Sequence, residues 1–172
     1  YPNFDSTTAS ISYDQLFSPY RFYGHDRLED NNFLSLGLSY SLFNPEGLER
    51  LRASVGQSYY FEDRRVNLVN NSDNFDTDKK TGPVLSMSSQ LSQNFSVSAN
   101  SAWMSNGDTA QRDLQVYFTG DQGNLYNLGY FYRNYLPDRQ DAYDQIVASF
   151  IQPVKDNWRI MGHAQYDLNH KL

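Results

Sequence analysis

The residues best equipped for chemistry sit in polar stretches between apolar ones. Asp73, Asp76 and Asp78 lie close together in NNSDNFDTDKK. Carboxylates grouped in that way can offer oxygens to a hard cation such as Ca²⁺. The stretch has neither the central glycine nor the closing glutamate of a dedicated calcium loop, so a solvated acidic loop is expected and no metal site is assigned. Arg64 and Arg65, with Lys79 and Lys80 across the same stretch, can grip phosphate oxygens through charge-assisted hydrogen bonds. An ordinary mixed-charge surface loop is the simpler account of them. A third group mixes rings and charges: Tyr20, Arg21, Phe22, Tyr23, Gly24, Asp26 and Arg27. A similar block follows at Tyr59, Tyr60, Phe61, Glu62, Asp63 and Arg64. Both blocks read as loop packing. Catalysis has less to stand on. His25, His163 and His170 are scattered, cysteine is absent, and there is no Gly-rich phosphate loop, zinc-type spacing or nucleophile elbow. His163 falls on the polar side of an alternating segment, where a hydrogen-bonded histidine is the expectation. No catalytic or cofactor residue is assigned, and the chain is not expected to be an enzyme.

The elements that must position these residues are strands. The chain has 172 residues, a net charge of −6, 14 Tyr and 11 Phe, with a mean hydropathy of −0.70. That aromatic content argues against disorder, and the acidic balance argues against a nucleic-acid groove. No apolar run approaches the roughly 18–20 residues of a transmembrane helix. A transmembrane barrel stays open, because only alternate residues of its strands meet lipid. The absence of cysteine says little about compartment. No signal-peptide pattern is visible at Tyr1; if the protein is secreted, this chain is expected to be mature or an internal piece.

Period-two alternation runs along the whole chain. In FLSLGLSYSLF, Leu34, Leu36, Leu38, Tyr40 and Leu42 share one side while Ser35, Gly37, Ser39 and Ser41 share the other; a helix would scatter them. Similar patterns recur in about nine segments, near 6–17, 32–43, 49–61, 83–92, 95–105, 112–120, 125–135, 142–153 and 157–168. The first would place Ala9, Ile11, Tyr13 and Phe17 on its apolar side, and the eighth, with Val147 and Ile151 on its other side, is the least regular. No Asp, Glu, Lys or Arg falls in the apolar rows. A charge facing lipid at mid-bilayer costs roughly 2–4 kcal/mol, whereas one facing a wet lumen does not. Short turns are expected at 43–49, 92–95, 120–124 and 153–157, and longer polar loops near 18–31, 62–82, 105–111 and 134–142. Strict alternation of short and long connections is the rhythm of an outer-membrane barrel, with short periplasmic turns and long extracellular loops. Nine strands cannot close a bacterial single-chain barrel of even strand number, so either the count is one too high or the barrel is larger than this chain.

Specific motifs go further. SYDQLFSPYRFYGHDRLED at 12–30, LERLRASVGQSYYFEDRRV at 48–66 and DQIVASFIQPVKDNWRIMGHAQYDLNHKL at 144–172 resemble segments of the LptD family of lipopolysaccharide-assembly proteins. The resemblance covers essentially the whole chain. It implies an all-β, antiparallel transmembrane β-barrel of the bacterial outer membrane, of which residues 1–172 would form a partial domain supplying about nine of about 26 strands. The family's periplasmic domain, gate strands and disulfide cysteines would lie outside it. The implied partners are lipopolysaccharide, an LptE-type lipoprotein plug and outer-membrane lipids, with no nucleic acid and no cofactor. The implied role is wall of the translocon that inserts lipopolysaccharide into the outer leaflet. A porin-like diffusion channel or another outer-membrane transporter is the alternative. On this view Arg21, Tyr23, Asp26, Arg27, Tyr60, Asp63, Arg64 and Arg65 would pack the loops or contact plug or lipid.

Overall fold

The computed structural model of the chain describes residues 7–8, 11–18, 22–23, 32–62, 79–134, 143–155 and 157–169. Eight strands form one antiparallel sheet: β3 (Phe33–Phe43), β4 (Glu49–Tyr60), β5 (Val84–Gln90), β6 (Phe95–Trp103), β7 (Thr109–Thr119), β8 (Leu125–Arg133), β9 (Tyr143–Lys155) and β10 (Trp158–Asp167). Their order in the sheet is their order in the chain, a meander with β3 and β10 at its edges. Ahead of it, β1 (Thr7–Thr8) pairs with β2 (Phe22–Tyr23), and a single 3-10 turn spans Asp14–Phe17.

The register confirms the alternation strand by strand. Tyr40, Ala53, Met87, Ala99, Leu114, Tyr130, Ile146 and Tyr166 are successive cross-strand partners in one apolar row. One pleat away, Ser39, Ser54, Ser86, Asn100, Asp113, Phe131, Gln145 and Asp167 form the matching row of the opposite face. Side chains alternate across a strand, so every row belongs wholly to one face. The apolar face is uncovered: Leu38 is 72% exposed and Leu128 53%. Its aromatic margin at the short-turn end is Phe95, Phe118, Tyr126 and Phe150, partners in sequence across four strands, with Phe118 and Tyr126 ring centroids 6.1 Å apart. Beside Phe150 stands Gly162, where an added methyl would lie 2.3 Å from the Phe150 ring. The ring thus covers the bare backbone of β10. Among the described residues charge enters this face toward the other end, where Arg112, Tyr132 and Asp144 share a row beyond Leu114 and Ile146. The irregular β9 falls into line, with Ile146, Ala148 and Phe150 in the apolar rows and Val147 opposite Gln165 on the polar face.

Two expectations are corrected. The segment 6–17 does not form a strand of the eight-stranded sheet: among its described residues Thr7–Thr8 is extended and paired with β2, while Asp14–Phe17 turns tightly. The sheet therefore has eight strands among the described residues, not nine. The connection expected as a long loop at 105–111 is a tight turn of residues 104–108 between β6 and β7, so the strict alternation of short and long connections breaks there. Its chemistry is that of the other short turns. Met104 N–H donates to the Asp108 carbonyl and Gly107 N–H to Met104, just as Asn44 bonds Leu48 with Gly47 on Asn44, and Gly120 bonds Asn124 with Gly123 on Gly120. Gly47, Gly107 and Gly123 hold φ of +80°, +93° and +78°, a region closed to most side chains. This is the type I turn with a following left-handed glycine that closes many hairpins. Asn106 before Gly107 was the visible signal, masked by the polar residues around it.

Candidate functional site

The polar face of the sheet carries the most built site among the described residues, a seat occupied by residues 11–18. The local sequence explains why this segment turns. Ser12 Oγ accepts a hydrogen bond from Gln15 N–H at 3.2 Å, and Leu16 N–H reaches back to the carbonyls of Ser12 and Tyr13. A hydroxyl that satisfies a backbone donor three residues on favours a turn over an extended strand. The turn directs Tyr13, Leu16 and Phe17 toward the sheet, with the Tyr13 and Phe17 rings edge-on at 5.1 Å.

The sheet is shaped to receive them. Gly37 and Gly56 are direct partners across β3 and β4. A methyl at Gly37 would lie 2.7 Å from the Phe17 ring and 2.8 Å from Tyr13, and one at Gly56 would lie 2.8 Å from Leu16 Cδ1. The row continues through Val84 and Ala102, which cluster with Leu16 while Ile11 packs against them. Ala102 and Val84 are almost completely buried. Glycine within a strand weakens it unless something approaches closely, and here the approaching group is the Leu16 side chain. Burying a leucine in full is worth roughly 1.5–3 kcal/mol, so this contact is the main anchor.

Polar groups complete the attachment. Ser35 Oγ donates to the Leu16 carbonyl at 2.5 Å and also meets Ser58 Oγ at 2.7 Å. At the other end, Ile11 N–H donates to Gln111 Oε1 at 3.2 Å. Gln111 is oriented by its own amide, which donates to Asp113 Oδ2 at 2.8 Å. Asp113 is in turn gripped by both terminal nitrogens of Arg133, one of them at 3.1 Å. A bidentate guanidinium fixes a carboxylate in angle as well as distance. The chain from Arg133 through Asp113 and Gln111 to the backbone of Ile11 is continuous. Farther along the face Gln165 Nε2 donates to Gln145 Oε1 at 2.6 Å.

The residues singled out from sequence divide sharply. Tyr60 ends β4, is buried, and stacks at 5.3 Å on Phe33, while its N–H donates to the Lys79 carbonyl. Tyr23 contributes backbone pairing in β2. Arg21, Asp26, Arg27, Asp63, Arg64 and Arg65 lie outside the described residues, as do Asp73, Asp76, Asp78, His25 and His170. His163 is exposed on the polar face opposite Ser149. Among the described residues no group of His, Asp or Glu is placed to hold a metal ion. The seat itself was missed, although a glycine on the polar side of each of two neighbouring strands was its signal.

An antiparallel meander with one uncovered aliphatic and aromatic face and one serine-rich face is the architecture from which barrel walls are built. The family model described as "LptD: LPS transport system D" matches residues 1–158, and the chain belongs to that family. Along its full 172 residues it is 78% identical to the LPS-assembly protein LptD of Acinetobacter baumannii and 71% identical to that of Acinetobacter baylyi. It is 33% identical over 174 residues to the LPS-assembly protein LptD of Psychrobacter cryohalolentis. The chain spans 21% of the first two relatives and 17% of the third.

Proposed function

We propose that residues 1–172 form part of the wall of a transmembrane β-barrel in the bacterial outer membrane, in a translocon that inserts lipopolysaccharide into the outer leaflet. The observation that carries this reading is the pairing of family membership with an uncovered apolar face whose central rows hold no charge. A face of leucines and tyrosines at that exposure needs an apolar solvent, and outer-membrane lipid is one. Strand lengths of 7 to 13 residues bracket the roughly 9–11 that a tilted strand needs to cross. Edges in hydrocarbon cost several kcal/mol for each unpaired backbone group, so β3 and β10 are read as continuing into further strands of a closed barrel. The polar face would line the lumen beside an LptE-type lipoprotein plug, offering hydroxyls and amides to the sugars of the cargo. The loop blocks holding Arg21, Tyr23, Asp26, Arg27, Tyr60, Asp63, Arg64 and Arg65 would pack over the mouth or touch plug or lipid. The protein works as a conduit and not by catalysis.

The test is depletion of the full-length protein in cells, followed by measurement of newly made lipopolysaccharide at the cell surface. Surface arrival should stop while synthesis continues. Normal arrival would overturn the reading, and normal arrival with lost ion conductance across the membrane would favour a diffusion channel.

A further inference from the structure

Resting on the barrel reading for its direction, we infer that residues 11–18 are an internal strap, seated on the glycine pair Gly37–Gly56, that narrows the lumen. The seat is too specific for incidental contact. Two facing glycines remove the side chains that would otherwise stand where Leu16, Tyr13 and Phe17 rest. Val84 and Ala102 supply the apolar floor for Leu16 on a face otherwise dominated by serine and amide groups. Beyond the Leu16 contact, hydrogen bonds with Ser35 and Gln111 tie the segment to the sheet, and its helical element is a single turn. Once seated, it stands on the polar face with Phe17 half exposed and Asp14 exposed, which places bulk where the wall alone offers small side chains and bare backbone.

Cysteine labelling of the full-length protein tests the seat. Ala102→Cys changes little in volume and lies beneath the strap, while Ser88→Cys lies exposed on the same face. With the strap seated, a maleimide should modify Ala102→Cys about tenfold or more slowly than Ser88→Cys, after subtraction of the background of the parent protein. Adding Gly56→Val, which keeps a strand-favouring residue but fills the seat, should abolish that protection. Leu16→Asp should do the same without altering the wall, and it decides the matter if the Gly56 variant does not assemble. Equal labelling rates at the outset, or protection that survives Leu16→Asp, would overturn the strap. Both unseating variants should also raise single-channel conductance in planar bilayers. Loss of protection with unchanged conductance would overturn the narrowing role. A full-length protein that never inserts into bilayers would sink the barrel reading instead, leaving labelling in detergent to judge the seat.

Discussion

Two stretches of this chain share a pattern and take different conformations. Residues 33–43 alternate Leu and Ser and become β3; residues 6–17 alternate almost as well, yet their described part from 11 to 17 turns and lies on β3 and β4. The difference lies in what each stretch does with its backbone donors. In β3 the small hydroxyls face sideways to partners such as Ser54 and Ser58 and leave the ladder alone. In the earlier stretch Ser12 captures the Gln15 N–H, and the alternation is spent on a turn. Period two states which side chains share a face, but it does not ensure that a neighbour will pair with the backbone.

The contrast can be broken most forcefully from the apolar side. Leu114→Arg puts a charge in the middle row of that face and should cost roughly 2–4 kcal/mol in the bilayer, seen as loss of heat-modifiable, membrane-assembled protein. Ser88→Arg, on the polar face, should stay within about 0.5 kcal/mol. Equal effects from the two would remove the distinction between the faces. Next in size is Asp113→Ala, which removes the carboxylate held by both Arg133 and Gln111. A hydrogen bond to a charged group contributes about 1.5–3 kcal/mol, so the urea midpoint in detergent should fall accordingly and Ala102→Cys should label faster. Arg133→Met in the same chain should recover part of the loss, a coupling readable as a double-mutant cycle. Gly107→Ala meets no neighbouring atom and so isolates backbone strain, expected at about 1–2 kcal/mol. A cost near zero there would show that the β6–β7 turn is not held in the left-handed region. Ser12→Ala should have the smallest effect, about 0.5–1.5 kcal/mol for a neutral hydrogen bond, and it sharpens the comparison most. Faster labelling of Ala102→Cys with an unchanged unfolding midpoint would place its whole effect in the strap.

Much of the sheet was legible because its information is local. The serine and leucine of each strand declare their faces without reference to anything distant, and eight of the expected segments pair in the register their rows require. The turn at 104–108 was legible in Asn106-Gly107 but was overruled by the expectation of a long loop. The seat was the opposite case. Gly37 and Gly56 are nineteen residues apart in sequence, and only the β3–β4 register makes them opposite. Gln111 likewise reaches Ile11 across a hundred residues, a distance over which no spacing rule operates. Tyr60 was singled out for its motif, whereas its observed contacts are with Phe33 and Lys79, supplied by the flanking strand and the far side of the loop.

The meander also has a temporal consequence. Each sheet strand pairs only with its sequence neighbours, and five of the seven connections hold five residues or fewer. Closing such short loops sacrifices little chain entropy, and local pairing accelerates folding. Hairpins β3–β4, β5–β6–β7–β8 and β9–β10 can therefore zip before the long connections at 61–83 and 134–142 bring them together. The sheet would then assemble from three prefabricated panels, and its slow step would be the joining of panels at the β4–β5 and β8–β9 seams.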